Sequence, residues 1–517
     1  MNIWRRGKSP RSIPPRDPVG GEAVTPGEDD VEELGSLTDT AARGVAWNAL
    51  RAVSTRLITA AVFVVLARKL DPADFGIVAL AMVFIVLISV LVESGFAEAI
   101  IQRKKVTQTD LNSAFWLNNA VSLALALALF ASADILSKTL GQPQLAPVLR
   151  VLSLVFVFSA LASVPQAILR RGLAFRAVAL RHLGGTLAGG AVGVAMALAG
   201  AGVWSLVGQL VATAGVGTAI LWGMSRWRPG GHVSAASIKG LLSFSGNILG
   251  GRLAVFATGR SDDFLIGVVL GPVALGLYTV AYKILLILTE TIIWTLGEVT
   301  FPVLSRLGSD PERRRRAFIG LTGLCAVVAV PTFLGLAVTA PELILVVFGP
   351  RWADAIPVAQ TLPLVGIAHS AVSCNKAALN AVGRPDLTLR IGLLTGVVNV
   401  IGFAVTVHWG ILAVAMSYVV CSYLLAPVSI WLATRVLSVG ATSYLRLFAG
   451  PVASGLVMVV CVLGTKAALE EETGNLVRLL VSILVASTTY VAMLYLTVRR
   501  QVVDLMSRAR RLRRASI

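Results

Sequence analysis

The sequence predicts an all-α polytopic membrane fold of about fourteen transmembrane helices, and three observations carry that expectation. Of its 517 residues 56% are hydrophobic and only 14% charged, where a soluble domain carries about 25% charged residues. Apolar runs of about 20 residues recur along the chain, each long enough to cross a hydrocarbon layer of about 30 Å as a helix. The runs do not alternate apolar and polar residues, as the strands of about ten residues in an outer-membrane barrel do. The polar stretches between them are too short to hold a soluble catalytic domain, so the expectation is a protein that is not an enzyme.

Residues 1–43 open the chain with Pro14, Pro15, Pro18, Pro26 and an acidic cluster from Glu28 to Glu33. They lack the apolar core of a signal peptide and read as a disordered cytoplasmic tail. The apolar runs place helices 1 to 6 near 44–67, 76–97, 113–133, 148–168, 178–199 and 203–223. Helices 7 to 12 fall near 244–268, 273–298, 317–339, 357–380, 388–407 and 410–433, and helices 13 and 14 near 446–465 and 476–498. Pro72, Pro143, Pro229, Pro272, Pro311 and Pro385 punctuate the ends of these runs, as expected of residues that cannot continue a helix. The domain reading is an N-lobe at 44–225, a C-lobe at 240–433, an added helix pair at 444–498 and a basic cytoplasmic tail at 499–517.

The two lobes are expected to be pseudo-symmetric, because the chain repeats itself. Leu70, Pro72, Gly76, Ala81 and Glu98 recur 200 residues on as Leu270, Pro272, Gly276, Ala281 and Glu298, and Asn48 has a near match in Asn247. The start of helix 6, Gly202-Val203-Trp204-Ser205-Leu206, resembles the start of helix 12, Gly410-Ile411-Leu412-Ala413-Val414. An even number of helices per repeat inserts both units the same way, related by an axis along the membrane normal. A site between two such lobes can open to one side and then the other as the lobes rock, which is the geometry of alternating access.

The net charge of +18 does not point to nucleic acid, because the basic residues sit in loops between spans. Of the 45 lysines and arginines, 32 fall in the two tails and in or beside the loops after even-numbered helices, against 6 in the loops after odd-numbered ones. Positive charge collects on the cytoplasmic side, so both termini should be cytoplasmic in a cell (inner) membrane. The runs Arg313–Arg316 and Arg508, Arg510, Arg511, Arg513 and Arg514 read as anchors on anionic lipid. Cys325, Cys374, Cys421 and Cys461 lie inside apolar runs without metal-ligand spacing and read as small buried residues.

Charges within spans are costly and mark wet interiors. Helix 1 carries Arg51 and Arg56, helix 7 Arg252 and Arg260, and helix 8 Lys283. Helices 1 and 7 are repeat partners, so these five cations form a candidate positive lumen, and the planar arginine fork suits a phosphate group. Bland readings stand beside this one. Arg51 can snorkel to lipid phosphates, Arg260 can pair with Asp262 or Asp263, and Lys283 can neutralise Glu290 or Glu93. Asp262, Asp263, Glu93 and Glu290 are also the candidates for coupling to an H+ or Na+ gradient. His369 reads as an interior histidine, Tyr278 and Tyr282 as packing or sugar-contacting residues, and Glu98 and Glu298 as partners of loop cations such as Arg103 or Arg306. No P-loop is present in the sequence, and no cofactor or metal is expected.

The stretches ARKLDPADFGIVALA, SGFAEAIIQRK, LNSAFWLN, VPQAILRRGLAFRA, GAGVWSLVGQ, LIGVVLGPVALGLYTVAYK and LNAVGRPDL, in that order, resemble the Wzx-like polysaccharide flippases of the multidrug/oligosaccharidyl-lipid/polysaccharide exporter superfamily. The resemblance runs from about residue 42 to 440 and is strongest to transporters for exopolysaccharide, colanic acid and teichuronic acid. It implies a MATE-like fold that flips undecaprenyl-pyrophosphate-linked oligosaccharide repeat units from the cytoplasmic to the periplasmic leaflet. It also implies a cationic lumen for the anionic carrier, with polysaccharide polymerase and chain-length proteins as candidate partners. Arg56, Arg252 and Lys283 are placed in that lumen by depth and repeat position alone. Two alternatives share the architecture: a multidrug/cation antiporter, which would favour acidic cavity residues, and a lipid II-type flippase. The orientation has a direct test. Reporter fusions at residues 138 and 313 should fall on opposite sides of the membrane, and fusions on one side would overturn the map.

Overall fold

The computed structural model describes residues 54–92, 106–172, 174–239, 252, 255–307, 310–469 and 474–514. The N-terminal tail, Asn48, Arg51, Glu93, Glu98, Arg103 and Asn247, and the side chain of Glu298, lie outside the described residues. Among the described residues the regular elements are helices throughout. In the N-lobe α1 covers 54–69, α2 Pro72–Val92, α3 Gln108–Thr139, α4 Leu145–Arg171, α5 Phe175–Leu198 and α6 Val203–Met224. In the C-lobe α7 comprises 255–259 and Ser261–Val269. Next, α8 covers Gly271–Leu288 and runs through a π-helical turn, Thr289–Trp294, into Thr295–Arg306. Then follow α9, Pro311–Val347, α10, Pro363–Ala381, α11, Pro385–Thr406, and α12, Ile411–Val436. The last two are α13, Ala441–Ala468, and α14, Asn475–Arg514.

Among the described residues eleven helices are long and apolar enough to cross a membrane. The three others expected from sequence are α1, α5 and α7. Both α1 and α7 are described only in part. In α5, Gly185, Gly189 and Gly193 dilute the apolarity, and they do so for a packing reason. A Cβ on Gly189 would sit 1.9 Å from Thr213 Oγ1 of α6, and one on Gly185 2.7 Å from the Thr213 carbonyl. Small residues at four-residue spacing let two helices approach backbone to backbone where lipid supplies no hydrophobic drive.

Several helices outrun their apolar cores, because capping rather than apolarity sets their ends. α3 starts five residues earlier than its apolar run suggests. The Thr107 hydroxyl accepts from Asp110 N at 3.2 Å while Asp110 Oδ2 accepts from Thr107 N at 3.0 Å, a reciprocal capping box. α9 begins at Pro311 because Asp310 Oδ1 accepts from the backbone of Glu312 and Arg313 at 3.1 and 3.0 Å, so the basic run 313–316 is helical. The residues read as a C-terminal tail, 499–514, continue α14 as helix.

The repeat seen in the sequence is a physical contact. A Cβ on Gly76 of α2 would lie 1.7 Å from the Pro272 carbonyl oxygen of α8, and one on Gly276 of α8 would lie 1.8 Å from the Pro72 carbonyl oxygen of α2. The two helices therefore touch backbone to backbone through equivalent residues exchanged across an approximate two-fold axis. The other matched pair behaves alike. Gly202 and Gly410 cap α6 and α12 with φ of 54° and 96°, a region that glycine enters without strain. α13 and α14 dock on α9: Lys466 pairs with Glu342 at 2.5 Å, and the Tyr490 hydroxyl donates to the Val327 carbonyl at 2.8 Å.

A larger residue at the two-fold contact must push the helices apart. Gly76→Leu is expected to cost about 1–3 kcal/mol through overpacking and to lower the thermal unfolding midpoint of the detergent-solubilised protein. Gly223→Ala, at a position with nothing within 4 Å, should leave it unchanged. Equal midpoints for the two variants would contradict the contact.

Candidate functional site: a charged cleft between the lobes

One end of the lobe interface is sealed. Beyond the contact between α2 and α8, the Arg68 Nε at the end of α1 donates to the Val347 carbonyl at the end of α9 at 2.8 Å. Trp352, fully buried in the 3-10 turn Pro350–Ala355, donates its Nε1 to the Ala67 carbonyl at 2.8 Å. Edge-on ring contacts join Phe63 to Phe75 and Phe348, and Phe75 to Trp352, with centroids 5.4 to 5.9 Å apart. Arg351 pairs with Asp71 at 3.3 Å on the rim. Apolar rings with donors aimed at helix-end carbonyls satisfy the orphan groups of α1 and α9 while excluding water.

The predicted charges lie away from this seal. Arg56 is 12 residues before Arg68 on α1, about 18 Å at the helical rise. Its Nε stands 3.8 Å from Glu290 Oε2, so the pair bridges the N-lobe and the C-lobe. Glu290 sits in the π-helical turn of α8, a wide turn of a kind often found at functional sites. Lys283, half-buried on the preceding stretch of α8, feels both Glu290 and Arg260. Glu290 is thus the acid at the centre of the α1–α8 face. The pair is partly open, with side chains 38% and 28% exposed, so its net strength stays modest.

The second charged face belongs to α7. Its helix breaks at Arg260, whose φ of −134° falls outside helical geometry. The freed guanidinium reaches forward to Asp263 Oδ2 at 2.8 Å. Asp262, also buried, accepts from the Tyr278 hydroxyl at 3.0 Å. Tyr278 is fully buried and stacks on Tyr282 with centroids 5.9 Å apart, so it packs against Asp262 and is not open to a sugar. Arg252 and Arg260 both line a cavity of 610 Å³ whose other walls are Val86 and Val90 of α2, Val255, Phe256 and Gly259 of α7, and Leu389 of α11.

The structure therefore brings the predicted residues together in two places. Arg56, Glu290 and Lys283 gather between α1 and α8, and Arg252 and Arg260 line one cavity between α7 and α2. Asp262 and Asp263 sit behind the second place, inside the C-lobe, each with a partner. Arg51 and Glu93 lie outside the described residues. His369, read from the sequence as an interior histidine, and Lys376 come together here. They lie on one face of α10 with Ser373 between, and all three line a C-lobe cavity with Ser422 and Ser429 of α12. The signal was the spacing: 369, 373 and 376 share one helical face, as do 422 and 429.

Known proteins place this geometry. The chain is 29% identical over 482 residues to the succinoglycan biosynthesis transport protein ExoT of Rhizobium meliloti, covering 92% of this chain and 97% of that one. It is 28% identical to the lipopolysaccharide biosynthesis protein WzxC of Escherichia coli, over 69% and 73% of the two chains. It is 24% identical to the teichuronic acid biosynthesis protein TuaB of Bacillus subtilis, over 89% and 96%. Among solved structures the fold matches the lipid II flippase MurJ in an inward closed conformation, with a TM-score of 0.74 at 13% identity, covering 89% of this chain and 100% of that one. It also matches an inward-facing multidrug resistance MATE family transporter of the MOP superfamily, with a TM-score of 0.60 at 15% identity over 74% and 94%. A family model described as polysaccharide biosynthesis protein matches residues 65–357, more than half of this multi-pass membrane chain, and the chain belongs to that family.

Proposed function

We propose that the protein is a flippase. It moves undecaprenyl-pyrophosphate-linked oligosaccharide repeat units from the cytoplasmic to the periplasmic leaflet of the inner membrane by alternating access, and does no covalent chemistry. The observation that carries this reading is a lobe interface sealed at one end by exchanged equivalents, Gly76 on Pro272 and Gly276 on Pro72, with cations on both lobes below the seal. Relatives named for succinoglycan transport, lipopolysaccharide biosynthesis and teichuronic acid biosynthesis support polysaccharide as the cargo class.

With the basic loops on the cytoplasmic side, the sealed end is periplasmic and the state is inward-facing. The pyrophosphate then meets Arg56, Arg252, Arg260 and Lys283 from the cytoplasmic leaflet. Glu290 stands against the Arg56 guanidinium at 3.8 Å. An entering phosphate competes for the same guanidinium, and the bridge from α1 to the π-helical turn of α8 gives way as the anion binds. A charged group displaced by a better-matched anion is a direct way to make lobe rocking depend on cargo. Drive from an H+ or Na+ gradient would act through Asp262 and Asp263, which are buried beside the break in α7. Polysaccharide polymerase and chain-length proteins would take the delivered units.

Deletion of the gene should leave lipid-linked repeat units on the inner leaflet and abolish secreted polymer, and wild type should restore it. The Arg56→Ala/Arg252→Ala double variant should fail to restore it. Each lost charge-assisted contact costs about 1.5–3 kcal/mol, or roughly 10- to 150-fold in affinity. Unchanged polymer with a rise in sensitivity to cationic drugs would point to a multidrug antiporter. In proteoliposomes, Asp262→Asn should abolish the dependence of flipping on whichever gradient, H+ or Na+, drives the wild type. Full gradient dependence in the variant would remove Asp262 from coupling.

A further inference from the structure

The C-lobe holds a second cavity that the interface site does not include. It has a volume of 220 Å³ and lies between the π-helical turn of α8, α10, α11 and α12. Lys376 of α10 lines it, and no carboxylate among the described residues pairs with this lysine. Ser422 of α12 also lines it. The residue is 5% exposed, and its hydroxyl is buried with no hydrogen-bond partner. On the wall formed by the π-helical turn, the hydroxyl of Thr289 is likewise buried without a partner.

Buried hydroxyls in native proteins nearly always find a partner, and a cation inside a membrane span is retained only where something compensates it. The chemistry of the three groups narrows what that is. An ammonium can only donate, and each hydroxyl has a proton to give. A ligand that satisfies all three at once presents several acceptor oxygens and a negative charge. A water molecule would serve the hydroxyls but leave the charge of Lys376 unanswered. We infer that this cavity is an oxyanion site: Lys376, Ser422 and Thr289 hold a carboxylate or phosphate group inside the C-lobe, separate from the interface cations.

Two sources share that chemistry, an acidic sugar of the carried oligosaccharide and a free inorganic anion. The site stands on its own geometry whichever cargo the interface takes. It also has a consequence for the interface. Thr289 is followed in the same π-helical turn by Glu290, which bridges to Arg56 of the other lobe. An anion seated on Thr289 therefore acts on the turn that joins the lobes.

Binding of sodium glucuronate, glucose and inorganic phosphate is measured by calorimetry on the full chain in nanodiscs. Glucuronate or phosphate should bind the wild type, and glucose should not. Lys376→Met should weaken that binding at least 10-fold and Ser422→Ala several-fold. Lys138→Ala should bind as wild type. If Lys376→Met does not fold, Ser422→Ala and Lys376→Arg carry the comparison, with binding weakened by the first and kept by the second. Preference for glucuronate assigns the site to an acidic sugar, and preference for phosphate to a free anion. Wild-type affinity in both Lys376→Met and Ser422→Ala, or glucose binding as tightly as glucuronate, would each overturn the inference.

Discussion

The backbone contact between α2 and α8 is the constraint on which the rest of the interface depends. Two helices with side chains at their crossing sit about 8–10 Å apart. Here Gly76 and Gly276 remove the spacers, and each helix rests on the carbonyl of the other's proline turn. The approach brings the ends of α1 and α9 close enough for Arg68 and Trp352 to reach backbone carbonyls across the lobes. It also sets Phe63 edge-on to Phe75 and Phe348, and Phe75 edge-on to the fully buried Trp352. Such a seal is held as packed surface and contains few charged links.

Away from the seal, charge takes over from packing. Inside a bilayer an isolated charge is expensive, and the described ion pairs of the interface follow a division by lobe. Arg56 and Glu290 join the two lobes, whereas Arg260 and Asp263 close within the C-lobe. The first pair is long at 3.8 Å and partly open, and the second is short at 2.8 Å. A long, open pair between the lobes is held more weakly than a short one. A short pair at a helix break holds the break in place and keeps Asp262 next to the Tyr278 hydroxyl. The π-helical turn of α8 stands between these regimes, with Glu290 turned to the other lobe and Thr289 lining the C-lobe cavity.

Much of the fold was legible because the bilayer imposes a simple rule on sequence. Every span needs a long apolar run, and every turn tends to carry a proline, a glycine or a charge. The repeat was legible because its two key glycines sit where a Cβ would strike the facing backbone, so they and the neighbouring prolines stand out at a spacing of 200 residues. The helix ends were less legible. α3 and α9 are extended by capping at Thr107 and Asp310, and polar first turns look like loop when apolarity alone is read. The glycine stripe of α5 weakened its signal for the same reason that it packs well against α6.

The sequence by itself determined the class of protein, the approximate spans, the two-lobe repeat and the set of charges that must find a wet or paired environment. These follow from local composition and from period, which a chain carries in one dimension. Only the tertiary structure decided the partners. Arg56 could have met lipid phosphate, water or any acid, and it meets Glu290, 234 residues away in sequence, because α1 lies against the π-helical turn of α8. Tyr278 could have faced a sugar, and it is buried on Asp262. Lys376 and Ser422 became one cavity because α10 and α12 pack side by side. Contacts between distant segments depend on how whole helices cross, and that is settled by the close approach at Gly76 and Gly276 rather than by the residues that make the contacts.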